Sequence, residues 1–135
     1  MARQHMQIGQ VAEQTGLSLR TIRHYEEVGL APPTARSTGG FRLYTDTDIA
    51  RLRVIMRMKP LDFTLDQMRD LLTILDHLAD PDTGDTDRTE LTGRLATYRD
   101  QVQARCAKLR DRLAAAENFA AELGDQVHAH QPPAT

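Results

Sequence analysis

The chain has one cysteine, Cys106, and no tryptophan in 135 residues, and aromatic residues make up only 4%. A single thiol closes no internal disulfide. It supplies too few ligands for a cysteine zinc knuckle or an iron-sulfur cluster. A reducing compartment, the cytoplasm, is therefore the expected location. No run of about eighteen apolar residues occurs, and the opening MARQHMQIGQ has no apolar core of the signal-peptide kind. The expectation is a soluble protein, neither secreted nor membrane-spanning. No phosphate-cradling glycine loop is present, nor a nucleophile set beside a base, nor a paired-carboxylate constellation, so an enzyme is not expected. No cofactor is expected either.

Ala, Leu, Asp and Arg dominate what remains, a composition that favours helices. The net charge of −2 conceals a division along the chain. Residues 1–60 hold nine Lys or Arg against five Asp or Glu, giving +4; residues 61–135 hold eight against fourteen, giving −6. Clustered cations in one part of a chain are the electrostatic footprint of a polyanion partner, nucleic acid first among them.

The first elements read as two short helices. In QIGQVAEQTG, Ile8, Val11 and Ala12 share one helical face and Gly16 stands where a C-terminal cap belongs. Ser18 is a good N-cap for the segment LSLRTIRHYEEVGL, which Gly29 closes. Two short helices about a glycine-containing turn have the spacing of a helix-turn-helix. On the second helix, Arg20, Arg23, His24 and Glu27 fall together, opposite Ile22 and Tyr25. A polar face of this kind fits a major groove, although charges on one helical face are more often only solvated.

Pro32 and Pro33 then forbid helix. The stretch STGGFRLY alternates around Phe41, Leu43 and Tyr44 after two glycines, which predicts a turn and a small two-stranded wing. Thr45 or Asp46 caps a helix running to about Met58, with Ile49, Leu52 and Ile55 or Met56 inward and Pro60 ending it. Thr64 and Gln67 fit a capping box before a helix over 64–78 that carries Leu65, Met68, Leu71, Leu72 and Leu75 inward. The stretch ADPDTGDTD reads as a linker.

From about Thr86 to Val127 the pattern is one long helix. Leu91, Leu95, Tyr98, Val102, Cys106, Leu109, Leu113, Ala116, Ala120, Leu123 and Val127 trace one stripe in steps of three and four. A helix of about forty residues spans about 60 Å, too long to hide its stripe on so small a domain, so a partner helix is expected. The expected division is 1–78 for DNA binding, 79–85 linker, 86–127 dimerisation helix and 128–135 disordered tail.

The segments IGQVAEQTGLSLRTIRHYEEVGL, GGFRLYTDTDIARLRVI and DFTLDQMRDLL, in this order and spacing, resemble the MerR family of bacterial transcription regulators. The resemblance implies a mainly α fold: a winged helix-turn-helix followed by a long helix that pairs antiparallel with its twin. It implies a homodimer on double-stranded promoter DNA whose spacer between the two polymerase contact elements is overlong. Effector binding lets such a dimer bend and untwist the DNA, with bacterial RNA polymerase at the same promoter.

Carried over position by position, the resemblance assigns DNA contacts to Ser18, Arg20, Thr21, Arg23, His24 and Tyr25 on the second helix. It assigns Arg36, Gly40, Phe41, Arg42 and Tyr44 to the wing. Dimerisation falls to Leu91, Leu95, Tyr98, Val102, Cys106, Leu109 and Leu113. His24 stands where many relatives carry a hydroxyl-bearing aromatic, and Asp62 stands where a Gly is common.

The effector is not legible. Metal sensors of the family join cysteines from both ends of the dimerisation helix, and no thiol lies in DPDTGDTD or beyond Cys106. Cys106 reads first as a small packed hydrophobe on the stripe, with a redox or electrophile sensor as the alternative. His128 and His130 are two imidazoles in a tail, too few for a metal site. A small organic ligand near the 64–78 helix and the start of the long helix survives, as does a regulator with no ligand. Other readings are an architectural or repressor-type DNA binder of the same fold, and a coiled-coil adaptor that would leave the basic front unused.

Overall fold

The computed structural model describes residues 5–134; residues 1–4 and 135, which fall in the expected DNA-binding domain and tail, lie outside the described residues. The chain divides into two units, the first ending at Leu95 and the second beginning at Ala96.

Helix α1 (Ile8–Thr15) opens with a capping box between Gln7 and Gln10. It stops at Gly16, whose φ of 76° lies in the left-handed region that glycine enters without a Cβ clash. After three residues, helix α2 (Leu19–Glu27) begins, with the Ser18 side chain accepting from the Thr21 N–H at 3.1 Å. Val11, Ile22 and Tyr25 are buried where α1 and α2 meet. Two arginines from later in the chain hold the exit from α2. The Arg69 guanidinium donates to the Val28 carbonyl at 2.7 Å, and Arg51 Nε donates to the Leu30 carbonyl at 2.6 Å. Arg51 also pairs with Asp76 at 2.6 Å.

Strands β1 (Ala35–Arg36) and β2 (Arg42–Leu43) form the expected antiparallel wing, with Ala35 opposite Leu43 and Arg36 opposite Arg42. The sequence did not suggest a second pairing. Met6 and Tyr44 exchange two backbone hydrogen bonds of 2.8 Å, so the start of the described chain lies beside the end of the wing.

Helix α3 (Asp46–Met58) has Thr45 as its cap and buries Ile49, Leu52, Ile55 and Met58 at steps of three. Asp48 completes that capping box and also accepts from the Thr34 N–H at 3.1 Å and the Thr34 hydroxyl at 2.5 Å. One carboxylate thus fixes both the helix start and the approach to β1. A 3-10 turn, Lys59–Leu61, contains Pro60 and ends at Asp62, whose φ of 62° and ψ of 30° are left-handed for a residue with a Cβ.

Helix α4 (Leu65–Ala79) carries the expected Thr64–Gln67 box. Its inward face departs from expectation: Leu65 is exposed, and Ile74 is fully buried beside Met68 and Leu72. Leu65 is the first residue after the cap, before the helix has turned its face to α3; Ile74 lies two residues after Leu72, about 200° round the helix, so α4 is covered on a second side as well.

Helix α5 (Asp85–His130) is longer than expected at both ends. The tail expected over 128–135 is helical through His130, and residues 131–134 have no regular structure. This is a correction: no helix breaker stands before Pro132, so nothing stops the helix at Val127. Burying Val11, Ile22, Leu30, Leu52, Ile55 and Ile74, all essentially inaccessible, is worth about 1.5–3 kcal/mol each, against about 1 kcal/mol for a cap. The apolar core therefore decides the stability of the first unit, and the caps decide where its helices begin.

Candidate nucleic-acid interface

Helix α2 has two faces. Ile22 and Tyr25 are buried, while Arg20, Arg23, His24 and Glu27 are exposed together as their spacing requires. Among the described residues neither Arg20 nor Arg23 is held in a salt bridge, so both guanidiniums keep their donors. The hydroxyls of Ser18 and Thr21 lie 2.8 Å apart at the helix start, Ser18 donating. Both are exposed or half-buried there. The His24 ring leans toward Tyr25, with centroids 6.0 Å apart.

The wing turn is closed by three bonds around Ser37. Its N–H donates to the Phe41 carbonyl at 2.8 Å, its carbonyl accepts from the Gly40 N–H at 2.9 Å, and its hydroxyl accepts from the Phe41 N–H at 3.1 Å. Gly40 takes φ 82°, and a Cβ on Gly39 would lie 3.2 Å from the Phe41 ring. Phe41 itself is 63% exposed, an apolar ring held at the tip of a polar loop.

One of the expected contact residues is corrected by burial. Tyr44 is fully buried and presents no surface to DNA, and the Tyr25 ring, 5% exposed, belongs mostly to the core. Tyr44 lies one residue past β2, where the chain leaves the wing for α3. Its backbone pairs with Met6 and its side chain turns inward, away from the wing surface. The Tyr44 hydroxyl is buried without a hydrogen bond among the described residues, and burial, with the Glu26 charge second, raises its pKa above the usual 10.0.

Sequence reasoning missed Glu26. Its carboxylate takes the Arg36 guanidinium on Oε1 at 2.5 Å and Arg42 Nε on Oε2. Arg36 reaches the Gly40 carbonyl at 3.2 Å as well. The hydrogen bond to Glu26 raises the Arg42 pKa further above the usual arginine value, so the guanidinium stays charged. The only sequence signal was an unexplained carboxylate on the basic stretch.

At the junction of α4 and α5, an open cleft of about 400 Å³ is lined by His77, Asp82, Asp87, Glu90 and Arg94 among others. At the same junction Arg88 donates to the carbonyls of Leu78, Asp80 and Thr83 at 3.0, 2.6 and 3.2 Å. Arg94 pairs with Asp70. Among the described residues no three His, Cys, Asp or Glu side chains gather as metal ligands.

Of the stripe on α5, Leu91 is 8% exposed within its own unit, which leaves it little surface for a second copy. Leu95, Tyr98, Val102 and Cys106 are half-buried. In the second unit Leu109, Leu113, Phe119, Leu123 and Val127 are 44–59% exposed. No helix among the described residues is long and apolar enough to cross a membrane.

Two short helices about a tight turn, a small wing and a basic outer face define a winged helix-turn-helix module. The family described as "MerR HTH family regulatory protein" matches residues 6–74, and "MerR, DNA binding" matches residues 49–125. The chain belongs to the MerR family of transcription regulators. It is 36% identical over 110 residues to the transcriptional activator TipA of Streptomyces coelicolor, covering 82% of this chain and 39% of TipA. It is 35% identical over 134 residues to the nodulation protein NolA of Bradyrhizobium diazoefficiens, covering 98% of this chain and 51% of NolA. The chain thus spans about two fifths to a half of the length of these relatives.

Among solved structures, HiNmlR, a MerR family regulator lacking the sensor domain and bound to promoter DNA, superposes with a TM-score of 0.71 at 22% identity. That match covers 94% of this chain and 95% of HiNmlR. The lead(II) complex of PbrR691 from Ralstonia metallidurans gives 0.52 at 32% identity, covering 96% and 91%. The first likeness carries the fold alone.

Proposed function

We propose that this chain is a cytoplasmic, sequence-specific regulator that binds double-stranded promoter DNA as a homodimer. The unit that includes residues 5–78 provides the DNA contacts and the long helix provides the pairing. The observation that carries this reading is the exposed face of α2, Arg20, Arg23 and His24, set beside a wing that presents Phe41, Arg36 and Arg42. Arginine forks read guanine edges or hold phosphates, and neutral or charged imidazole donates to either.

An antiparallel dimer repeats this unit about a two-fold axis, which suits a pseudo-palindromic site. Bending a site of about 20–30 base pairs costs on the order of 1–6 kcal/mol, a cost that contacts from two such wings can offset. On that basis the dimer distorts an overlong promoter spacer and so controls initiation by bacterial RNA polymerase. An effector, where one acts, has the cleft between α4 and α5 as its nearest seat.

The test is selection of bound sequences from a random duplex pool, followed by footprinting and a salt titration. With about ten phosphate contacts per dimer, log K falls against log salt with a slope near −9. A salt-independent affinity overturns DNA binding. Recovered sites without two-fold symmetry, or lying away from promoter elements, overturn spacer control and leave an architectural or repressor-type binder.

A further inference from the structure

We infer that Glu26 is a positioning residue for DNA binding: it ties both wing arginines to helix α2 and holds them ready for the phosphate backbone. The inference rests on the DNA-binding reading above and adds a residue to it. Arg36 and Arg42 stand directly opposite each other across the β1–β2 pair. Two like charges in that arrangement repel and would splay the side chains apart. Glu26 places one carboxylate oxygen on each, Oε1 on Arg36 Nη2 and Oε2 on Arg42 Nε. The repelling pair becomes a triad of net charge +1.

The atoms used matter. Arg42 meets Glu26 through Nε, which leaves the Nη1 and Nη2 end of its guanidinium, four N–H donors, without a hydrogen bond among the described residues. That end is the fork that grips a phosphate. Both arginine side chains keep surface, 47% for Arg36 and 26% for Arg42, whereas Glu26 keeps only 17%. The carboxylate is the covered member and the guanidiniums are the presented ones. Ordering them before DNA arrives removes part of the side-chain entropy that binding would otherwise cost. Because Glu26 lies on the helix that carries Arg20 and Arg23, the same triad fixes the wing relative to the groove-facing residues.

The experiment uses the full chain and a fluorescent random-sequence duplex of about 25 base pairs, with affinity measured between about 0.05 and 0.2 M salt. Variants are Glu26→Gln, Arg42→Ala and the double variant, each with a thermal melt. Glutamine loses the charge and sets an NH2 donor against one of the two guanidiniums, so it cannot hold both as the carboxylate does. The expected result is an affinity about tenfold weaker for Glu26→Gln. Its slope is shallower by about 2, because each protomer then neutralises one phosphate fewer at about 0.9 apiece. Arg42→Ala costs a similar factor alone and adds little on top of Glu26→Gln.

A Glu26→Gln protein that melts lower but keeps affinity and slope shows a structural role only and overturns the inference. One that binds tighter with a steeper slope shows Glu26 withholding the arginines, and overturns it as well. Failure of the DNA-binding reading looks different: the unaltered protein itself shows no salt-dependent binding. If Glu26→Gln does not fold, Glu26→Asp is measured in its place. It keeps the charge but lacks the reach to span both arginines, and weaker binding with a shallower slope is again the supporting result.

Discussion

Tyr44 and Asp62 are the residues at which the first unit is least at ease. The Tyr44 hydroxyl is buried without a hydrogen bond among the described residues, and burial raises its pKa above 10.0. Because the folded value lies above the unfolded one, this group's contribution to stability is intact below about pH 10 and is lost as pH rises through the folded pKa. Tyr44→Phe is therefore expected to unfold at the same or a higher urea concentration near neutral pH, since an unsatisfied buried hydroxyl is removed. It is also expected to lose less stability than the unaltered protein above about pH 10. Urea midpoints measured at both pH values check it. Asp62 sits at φ 62° in a turn where its Cβ is a liability. Asp62→Gly is expected to raise unfolding free energy by about 1 kcal/mol, read from the urea midpoint, with affinity for duplex DNA unchanged.

Between elements, the turn from α4 into α5 is held chiefly by Arg88, with the Arg94–Asp70 pair beside it. Arg88 donates to three carbonyls, those of Leu78, Asp80 and Thr83, where α4 ends and the chain turns; the Asp80 carbonyl also accepts from the Thr83 N–H at 3.2 Å. Arg88→Ala is expected to cost about 2 kcal/mol and to lower Tm by several degrees; Arg88→Lys is expected not to restore it, because an ammonium lacks the planar fork. Calorimetry of the three proteins decides this. The boundaries of α1 to α4 were legible because their causes are local: Ser18, Thr45 and Thr64 cap within three residues, and Gly16 and Pro60 stop what precedes them; the end of α5, which has no such signal, was not. The exposed face of α2 was legible for the same reason, as a matter of period. The Met6–Tyr44 pairing, the Glu26 triad and the arginines on Val28 and Leu30 were not, because each joins residues far apart in sequence and leaves no periodic trace. Tyr44 was misplaced because a motif assigns a position to a surface before burial has been settled.

For the molecule as a whole, the proposed pairing of long helices makes a geometric commitment that one thiol can test. With Leu91 occupied in its own unit, the stripe open to a second copy runs from Leu95 to Val127, and its midpoint falls between Leu109 and Leu113. An antiparallel pair centred there sets Cys106 opposite residue 116 of the other copy. Its own counterpart, Cys106 of the other copy, is then about 15 Å away along the axis at 1.5 Å per residue. A disulfide needs Cα atoms within about 7 Å, so the unaltered protein is expected to stay uncrosslinked under mild oxidation. Ala116→Cys supplies the missing partner, and oxidation is expected to give a covalent dimer joined through Cys106 of one protomer and the new thiol of its partner. Within one helix these two positions are themselves about 15 Å apart and cannot close on each other. A parallel pair reverses the result, since Cys106 would then face Cys106 and the unaltered protein would crosslink. Non-reducing electrophoresis of the two oxidised proteins separates the orientations, and crosslinking of the unaltered chain would reject the antiparallel arrangement on which the two-fold operator reading depends.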